Sequence, residues 1–465
     1  MALSPEILAR LATITGEDGL LSDPADCWVY GYDNSRRQQQ PDAVAFPRTH
    51  QAVEQIIDLC NQESIPLTPR GRGTGTTGAT VPLHGGLVLS MERMNQIIKL
   101  DPDNRLMVVE PGVTNEQVQH AAAQCGLFWP PDPTSAAFCT IGGNLAYNSA
   151  GPRAVKYGTP RENVLGLRAV TGGGDSFRCG VYTTKGVVGY DLTRLLIGSE
   201  GTLAIITEAI LKLTPLAETK ATMQVIYRDI ASAAQAIATI MGQTVTPCAL
   251  EFIDGRAIDM IRHHARIPFP PHAAAMLLIE VDGARAEISP AIDSIRRAAD
   301  NDGMVSFVSA CEREEIQALW KTRKALSPAL RTVAPKKINE DIVVPVSGIP
   351  ALITGLEALA RKFDIQIINF GHAGNGNIHV NLLVDPADSG QMERAEQCLA
   401  QVFRLVLSLQ GTLSGEHGVG LEKRDFIQQE IGPVALELMR GIKQQFDPRG
   451  ILNADKMLPI ICRPT

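Results

Sequence analysis

Residues 69–82 read PRGRGTGTTGATVP and contain Gly73-x-Gly75-x-x-Gly78. The spacing is that of a dinucleotide-binding loop, but the residues after it exclude the fold that goes with it. A Rossmann loop must open a helix whose N-terminus receives the pyrophosphate. Here Pro82, Gly85 and Gly86 follow at once, so no helix of useful length starts. Gly-Lys-Ser/Thr is also missing, which removes a Walker loop. What is left is a glycine-rich loop between two strands. Its backbone N–H groups form a nest for phosphate oxygens, and Arg70 and Arg72 add positive charge. From these residues alone, a glycine-rich turn with no ligand stays open beside that reading.

The chain is 465 residues long, beyond the usual size of one core, so two or three domains are expected. With 45% hydrophobic and 20% charged residues it reads as a globular protein. A net charge of -7, no basic run and 5% aromatics argue against nucleic acid as the partner. The N-terminus reads as a short amphipathic helix, and no signal peptide is expected. No stretch approaches the eighteen or so uninterrupted apolar residues of a transmembrane helix. The nine cysteines are dispersed without C-x-x-C, which fits reduced thiols in a cytosol and excludes a cysteine-held iron–sulfur cluster.

The first half is dense in short strands and glycine: DAVAFP, GLVLSM and RLMVVEPGV, with a Thr-capped helix over THQAVEQIIDLCNQE. A helix, a glycine turn and a long strand then run to Thr214-Pro215. The pattern predicts a first domain over 1–216. From 217 to 446, strands (MLLIEV, MVSFVSA, DIVVPV, IQIINF, IHVNLLV) alternate with longer helices. One of these helices is expected over EREEIQALWKTRKALSPALR, and the last stops at FDPRG. This is an α+β second domain. Residues 447–465 form a closing segment that returns to the first.

A second small-residue loop occupies 131–166, with Ile141-Gly142-Gly143-Asn144, then Asn148 and Gly151. Small residues let the backbone approach a flat ligand closely. These two loops, with IGSEGTLAIITEAILKL at 197–213, resemble the FAD-binding (PCMH-type) domain of the vanillyl-alcohol-oxidase-type flavoproteins in order and spacing. The resemblance implies an α+β fold in which an FAD domain carries a substrate, or cap, domain with an antiparallel sheet. It implies that Pro69, Arg70, Gly71, Arg72, Gly73, Thr74, Gly75, Thr76 and Gly78 cradle the FAD pyrophosphate. Pro131, Asp132, Thr140, Ile141, Gly142, Gly143, Asn144, Asn148 and Gly151 would line the isoalloxazine and ribityl chain, joined by Glu200, Gly201, Ile205 and Asn453. No histidine lies in 69–82, where many covalent members attach the flavin, so non-covalent FAD is expected.

NFGHAGNGNIHVNLL holds His372 and His379, and SGEHGVG holds Glu416 and His417. INFGH reads as a strand end, AGNGN as a turn, and IHVNLLV as the next strand, with His379 and Asn381 on one face. The turn brings the two histidines together. Two imidazoles and a carboxylate are a common three-ligand set for a divalent metal, and His417 is then available as a base. A set of hydrogen-bonded core histidines near a hairpin is the blander reading.

GHAGNGNIHVN and SGEHGVGLEKR, with FDPRGILNADKML, resemble the FAD-dependent D-2-hydroxyacid dehydrogenases: D-lactate dehydrogenases, the glycolate oxidase catalytic subunit and D-2-hydroxyglutarate dehydrogenases. The resemblance implies that His372, His379 and Glu416 hold one divalent metal, zinc or else manganese. It makes His417 the base, Asn381 a polar contact near the substrate, and Arg323 the partner of the substrate carboxylate. Arg323 and Ser327 are four apart on the expected helix and face the same way. The implied reaction is oxidation of a D-2-hydroxy acid to the 2-oxo acid by hydride transfer to flavin N5.

Members acting on hydroxyglutarate tend to carry a lysine where this chain has Asn339, which favours D-lactate or a similar small acid. Lys337, reaching in from an adjoining loop, keeps D-2-hydroxyglutarate open. A flavin oxidase for a sugar or alcohol, or a non-catalytic FAD subunit, would not need all four metal-site residues. With no cluster or haem motif, electrons are expected to pass to a separate acceptor, a quinone, a cytochrome or an electron-transfer flavoprotein. A cytoplasmic protein is expected, a homodimer and peripheral to the inner membrane through that acceptor.

Overall fold

The computed structural model describes residues 3–16, 18–262 and 269–460. The chain divides into two compact units: Met1–Gly151, Gly158–Leu216 and Glu416–Thr465 form one, Pro152–Tyr157 and Ala217–Gly415 the other. The chain thus re-enters the first unit at Glu416, earlier than the residue 447 expected from the stop signals. Among the described residues, no helix is long and apolar enough to cross a membrane.

The first unit contains a four-stranded and a five-stranded sheet. In the smaller, Ala43–Ala45, Leu87–Ser90 and Leu67–Arg70 lie parallel. The crossover helix His50–Glu63 is capped by Thr49, whose side chain accepts from Ala52 N. It buries Val53, Ile56, Ile57 and Cys60, the apolar stripe of a 3.6-residue repeat. The glycine loop leaves the strand Leu67–Arg70 and reaches Leu87–Ser90 without forming a helix, as its Pro and Gly content requires. The larger sheet is antiparallel, in the order Ile97–Asp101, Leu106–Val109, Ala204–Lys212, Val164–Thr171, Ser176–Gly180. Its core gathers Met107, Val109, Ala169 and Leu211 around the fully buried Trp129.

The second unit is one seven-stranded antiparallel sheet, ordered Met304–Ala310, Thr219–Tyr227, Ala275–Gly283, Ala249–Asp254, Gln366–Gly371, Asn377–Val384, Lys336–Val343. Register decides which side chains share a face. Gln224 pairs with Leu278 and Leu278 with Glu251. Two residues along from Glu251, Ile253 pairs with Phe370, Phe370 with His379, and His379 with Asp341. All of these therefore project from one face. Leu326 and Leu330 pack there with Ile253, Ile368 and Phe370.

Two local expectations change. The single helix expected over 312–331 is two, Arg313–Lys324 and Leu326–Val333, meeting at Ala325. Pro328 lacks the N–H that would bond the Lys324 carbonyl, so an unbroken ladder is impossible. The strand expected from Asp341 onward starts at Lys336, because all of Lys336–Val343 pairs with Asn377–Val384.

Candidate active site

In the first unit an open, narrow cleft is walled by both small-residue loops and the turn at 199–201. Its walls are backbone in close approach. A Cβ on Gly71 would lie 2.5 Å from Thr140 Oγ1, and one on Gly201 2.5 Å from Pro69 Cγ. Among the described residues, no backbone N–H from Gly71 to Thr76 donates to the protein. A run of free amides in a glycine loop is the material of an anion nest, and it opens at Gly71 in the cleft wall, which suits a pyrophosphate-bearing cofactor.

Of the residues expected to hold that cofactor, Pro69, Arg70, Gly71, Thr140, Gly142, Gly143, Glu200, Gly201, Ile205 and Asn453 line the cleft. Others stand behind its wall. Ile141 is in the core, and Asn144 Oδ1 accepts from Asn115 Nδ2 at 3.2 Å. Asn115 Nδ2 also donates to the Pro131 carbonyl, at 2.9 Å. Asn148 Oδ1 accepts from Arg161 N, and Gly78 N donates to Asp33 Oδ2. Asp132 N donates to the Ala150 carbonyl. Arg70 is largely consumed in bracing the loop: its NH1 donates to the Tyr32 carbonyl at 2.7 Å. Arg72 is half-exposed and lies 3.4 Å from Glu92.

Three expected residues turn out to organise the returning segment within this unit. Glu200, buried with φ +53°, accepts from Val419 N at 2.6 Å and Gly420 N at 2.8 Å. Burial raises its carboxyl above the ordinary range, against those two N–H donors and the charges of Lys423 and Lys456. Asn453 Nδ2 donates to the Glu200 carbonyl. Gly151 N donates to Glu416 Oε2 at 2.9 Å, leaving Oε1 4.0 Å from His417 Nε2. Thr77 Oγ1 donates to the His417 carbonyl.

In the second unit the rings of His372 and His379 stand edge to face with centroids 5.2 Å apart, as the turn between their strands predicts. Glu251, 1% exposed, joins two of the expected residues: Oε1 lies 2.5 Å from His372 Nδ1 and Oε2 accepts from Arg323 Nε at 2.7 Å. Burial pushes its carboxyl upward, but the charges of His372 and Arg323, with their hydrogen bonds, overcome this and hold it at about 2. An ionised carboxylate only accepts, so His372 Nδ1 carries the proton and Nε2 is left as a ligand atom. His379 Nδ1 lies 3.7 Å from Asp341 Oδ1. Asp341 is fixed by Asn377 Nδ2 at 2.6 Å and Gly415 N at 2.9 Å. An imidazole beside a buried carboxylate suits a divalent cation; His379 and Asp341 belong to a group of side chains whose donor atoms lie within 4.8 Å of one another, and His372 does not.

Arg323 also lies 4.8 Å over the Phe370 ring, and among the described residues its terminal nitrogens make no hydrogen bond. That free edge suits a carboxylate. Asn381 is held in place: Nδ2 donates to the Ile368 and His379 carbonyls, and Oδ1 accepts from Asn339 Nδ2 at 2.6 Å. Lys337 is in a strand rather than a loop, opposite Leu383 and on the face of Asn381. The side chain of Ser327 lies outside the described set.

Sequence reasoning missed Glu251, Asp341 and Tyr147. Glu251 had a signal: a carboxylate inside the apolar run ALEFI, where a charge has no place without partners. Tyr147 lines the cleft from the helix Ile141–Tyr147.

Residues 41–180 match an FAD binding domain, and residues 216–457 match the family of FAD linked oxidases, C-terminal domain. The chain is 40% identical to glycolate oxidase subunit GlcD of Bacillus subtilis, over 98% of this chain and 97% of that one. It is 32% identical to a probable mitochondrial D-lactate dehydrogenase of Danio rerio, over 98% and 92%. To a D-2-hydroxyglutarate dehydrogenase of Stutzerimonas stutzeri it is 31% identical, over 97% and 99%. In fold it is similar to p-cresol methylhydroxylase with substrate bound, with a TM-score of 0.80 at 17% identity over 99% and 98% of the two chains. Fold, cleft and kinship agree: this chain is an FAD-linked oxidoreductase acting on hydroxy acids and belongs to the FAD-dependent D-2-hydroxyacid dehydrogenases.

Proposed function

We propose that the chain oxidises a small D-2-hydroxy acid, D-lactate or a near relative, to the 2-oxo acid, using non-covalent FAD and one divalent cation, zinc or manganese. The observation that carries the reading is Glu251, which fixes His372 and Arg323 with its two oxygens. One buried carboxylate thereby sets the tautomer of a cation ligand and the angle of a guanidinium. A 2-hydroxy acid needs both, one for its hydroxyl and one for its carboxylate. His372, His379 and Glu416 hold the cation, with Asp341 beside His379. Bound FAD supplies a hydride acceptor at N5, and the cation supplies Lewis acidity toward the hydroxyl. Arg323 orients the acid through its free edge. His417 takes the hydroxyl proton. The absence of histidine from 69–82 supports non-covalent flavin. Electrons leave to a separate acceptor; the relative from Bacillus subtilis is itself named as a subunit.

Lys337 gives D-2-hydroxyglutarate a specific footing as a second reading. Its place on the face of Asn381 and Asn339 suits a distal carboxylate.

The test is anaerobic flavin absorbance on mixing the FAD- and metal-loaded protein with D-lactate, L-lactate, glycolate and D-2-hydroxyglutarate. Bleaching by a D-acid or glycolate and none by L-lactate is expected. His417→Ala should abolish bleaching while the flavin spectrum persists. Wild-type reduction rates in that variant sink the base assignment.

A further inference from the structure

Beneath the helix Arg313–Lys324, the second unit holds a partly open cavity of ≈ 290 Å³. Its floor is Gln224, Met276 and Leu278, on the sheet face that carries Glu251; its roof is Ala318, Leu319 and Thr322. The walls are mainly apolar, yet Gln224 is 5% exposed and its Oε1 has no hydrogen-bond partner among the described residues. A buried amide oxygen without a partner is costly, and it marks where a ligand's polar atom lands. Gln224 Nε2 has only Met276 Sδ, at 3.2 Å, so the amide can turn over at little cost and meet a donor or an acceptor. Glu315 lines the same space, so a carboxylate there would meet like charge.

The cavity borders the clamp on the substrate carboxylate. Leu278 in its floor is the cross-strand partner of Glu251, and Thr322 in its roof precedes Arg323. We propose, resting on the reading of a 2-hydroxy acid held by Arg323, that this cavity receives the acid's side chain. Its occupant is an aliphatic chain longer than a methyl group, ending in a neutral polar group such as a hydroxyl. Gln224 determines preference for that end, and Glu315 turns away dicarboxylates. Along this one sheet face, Lys337 on the edge strand thus suits a charged end and Gln224, with four strands between them, a neutral one.

The experiment measures kcat/KM for reduction of the flavin in the loaded full chain by D-lactate, D-2-hydroxybutanoate, D-2-hydroxyhexanoate, its terminally hydroxylated analogue, and D-2-hydroxyadipate. Each buried methylene is expected to raise kcat/KM about fourfold. The terminal hydroxyl is expected to be tolerated, and the adipate homologue to fall about tenfold or more below the hexanoate. Ala318→Phe, which fills the cavity, should cancel the gain with chain length. Gln224→Leu should erase tolerance of the terminal hydroxyl alone. A flat or falling series in the wild type, with D-lactate oxidised, overturns the proposal and leaves the proposed reaction standing. An Ala318→Phe chain that keeps the full length dependence overturns it equally. If no D-2-hydroxy acid bleaches the flavin, the reaction itself is wrong and the proposal falls with it.

Discussion

The two units build their sites from opposite materials. The cleft of the first is made of backbone: glycines, free amides and a few small side chains, placed where a single added methyl group would collide with Thr140, Pro111 or Pro69. The centre of the second is made of side-chain termini, in which Glu251, His372, Arg323, His379 and Asp341 meet on one sheet face. A backbone site fails when atoms are added. A side-chain site fails when atoms or charge are removed. The contrast makes the two sites separable by mutation.

The largest effect is expected from Glu251→Gln. The amide keeps the volume but brings donors to face the donors of His372 and Arg323, so both lose their fixed geometry. Cation affinity should fall about 10- to 100-fold through loss of the histidine's partner. Misplacing the guanidinium adds about 100-fold in rate. Metal content and the flavin spectrum are the readouts, and the spectrum should be unchanged. Loss of flavin along with metal would show that the two sites are not separable in this way. Gly71→Val makes the converse test. Its side chain meets Thr140 Oγ1, which also caps the helix Ile141–Tyr147 through Gly143 N. Overpacking of this kind is expected to weaken FAD binding about 10- to 100-fold, with bound metal unchanged. A variant that retains stoichiometric FAD after dialysis removes the close-approach argument.

The same contrast explains what could be read in the sequence. Glycines at special backbone positions announce themselves by type, so both loops and the absence of a Rossmann helix were legible. So was the meeting of His372 and His379, because the short turn between their two strands leaves both rings little choice but to converge. Within the loops, however, contiguous segments were read as lining. The helix Ile141–Tyr147 instead turns Gly142, Gly143, Ala146 and Tyr147 to the cleft, and Ile141 and Leu145 to the core. Glu251 and Asp341 were hidden for another reason. Their meaning comes from register across strands far apart in sequence, and no local pattern encodes that. The early start of the strand at Lys336 has the same cause.

The last test concerns a lysine buried behind the wall of the backbone-built cleft. Lys456 is 4% exposed and donates to the Ala79 carbonyl at 2.9 Å and to Asn453 Oδ1 at 2.8 Å, two residues that line the cleft. Burial lowers its amine from the ordinary lysine value of 10.5 to about 7, although the charges of Asp33 and Glu200 pull the other way. The folded state therefore favours the neutral amine. The stability this residue contributes is fully present above the unfolded value of 10.5 and is lost as pH falls toward the folded value of about 7. The limiting slope is about 1.4 kcal/mol per pH unit. Lys456→Met removes the titration along with its two hydrogen bonds. Melting temperatures of wild type and variant should converge, or cross in the variant's favour, as pH is lowered from about 10 to about 7. A difference that stays constant across that window means that Lys456 remains charged in the fold, held by Asp33 and Glu200. The wall of the cleft is then electrostatic, and its contrast with the second unit is weaker than its glycines imply.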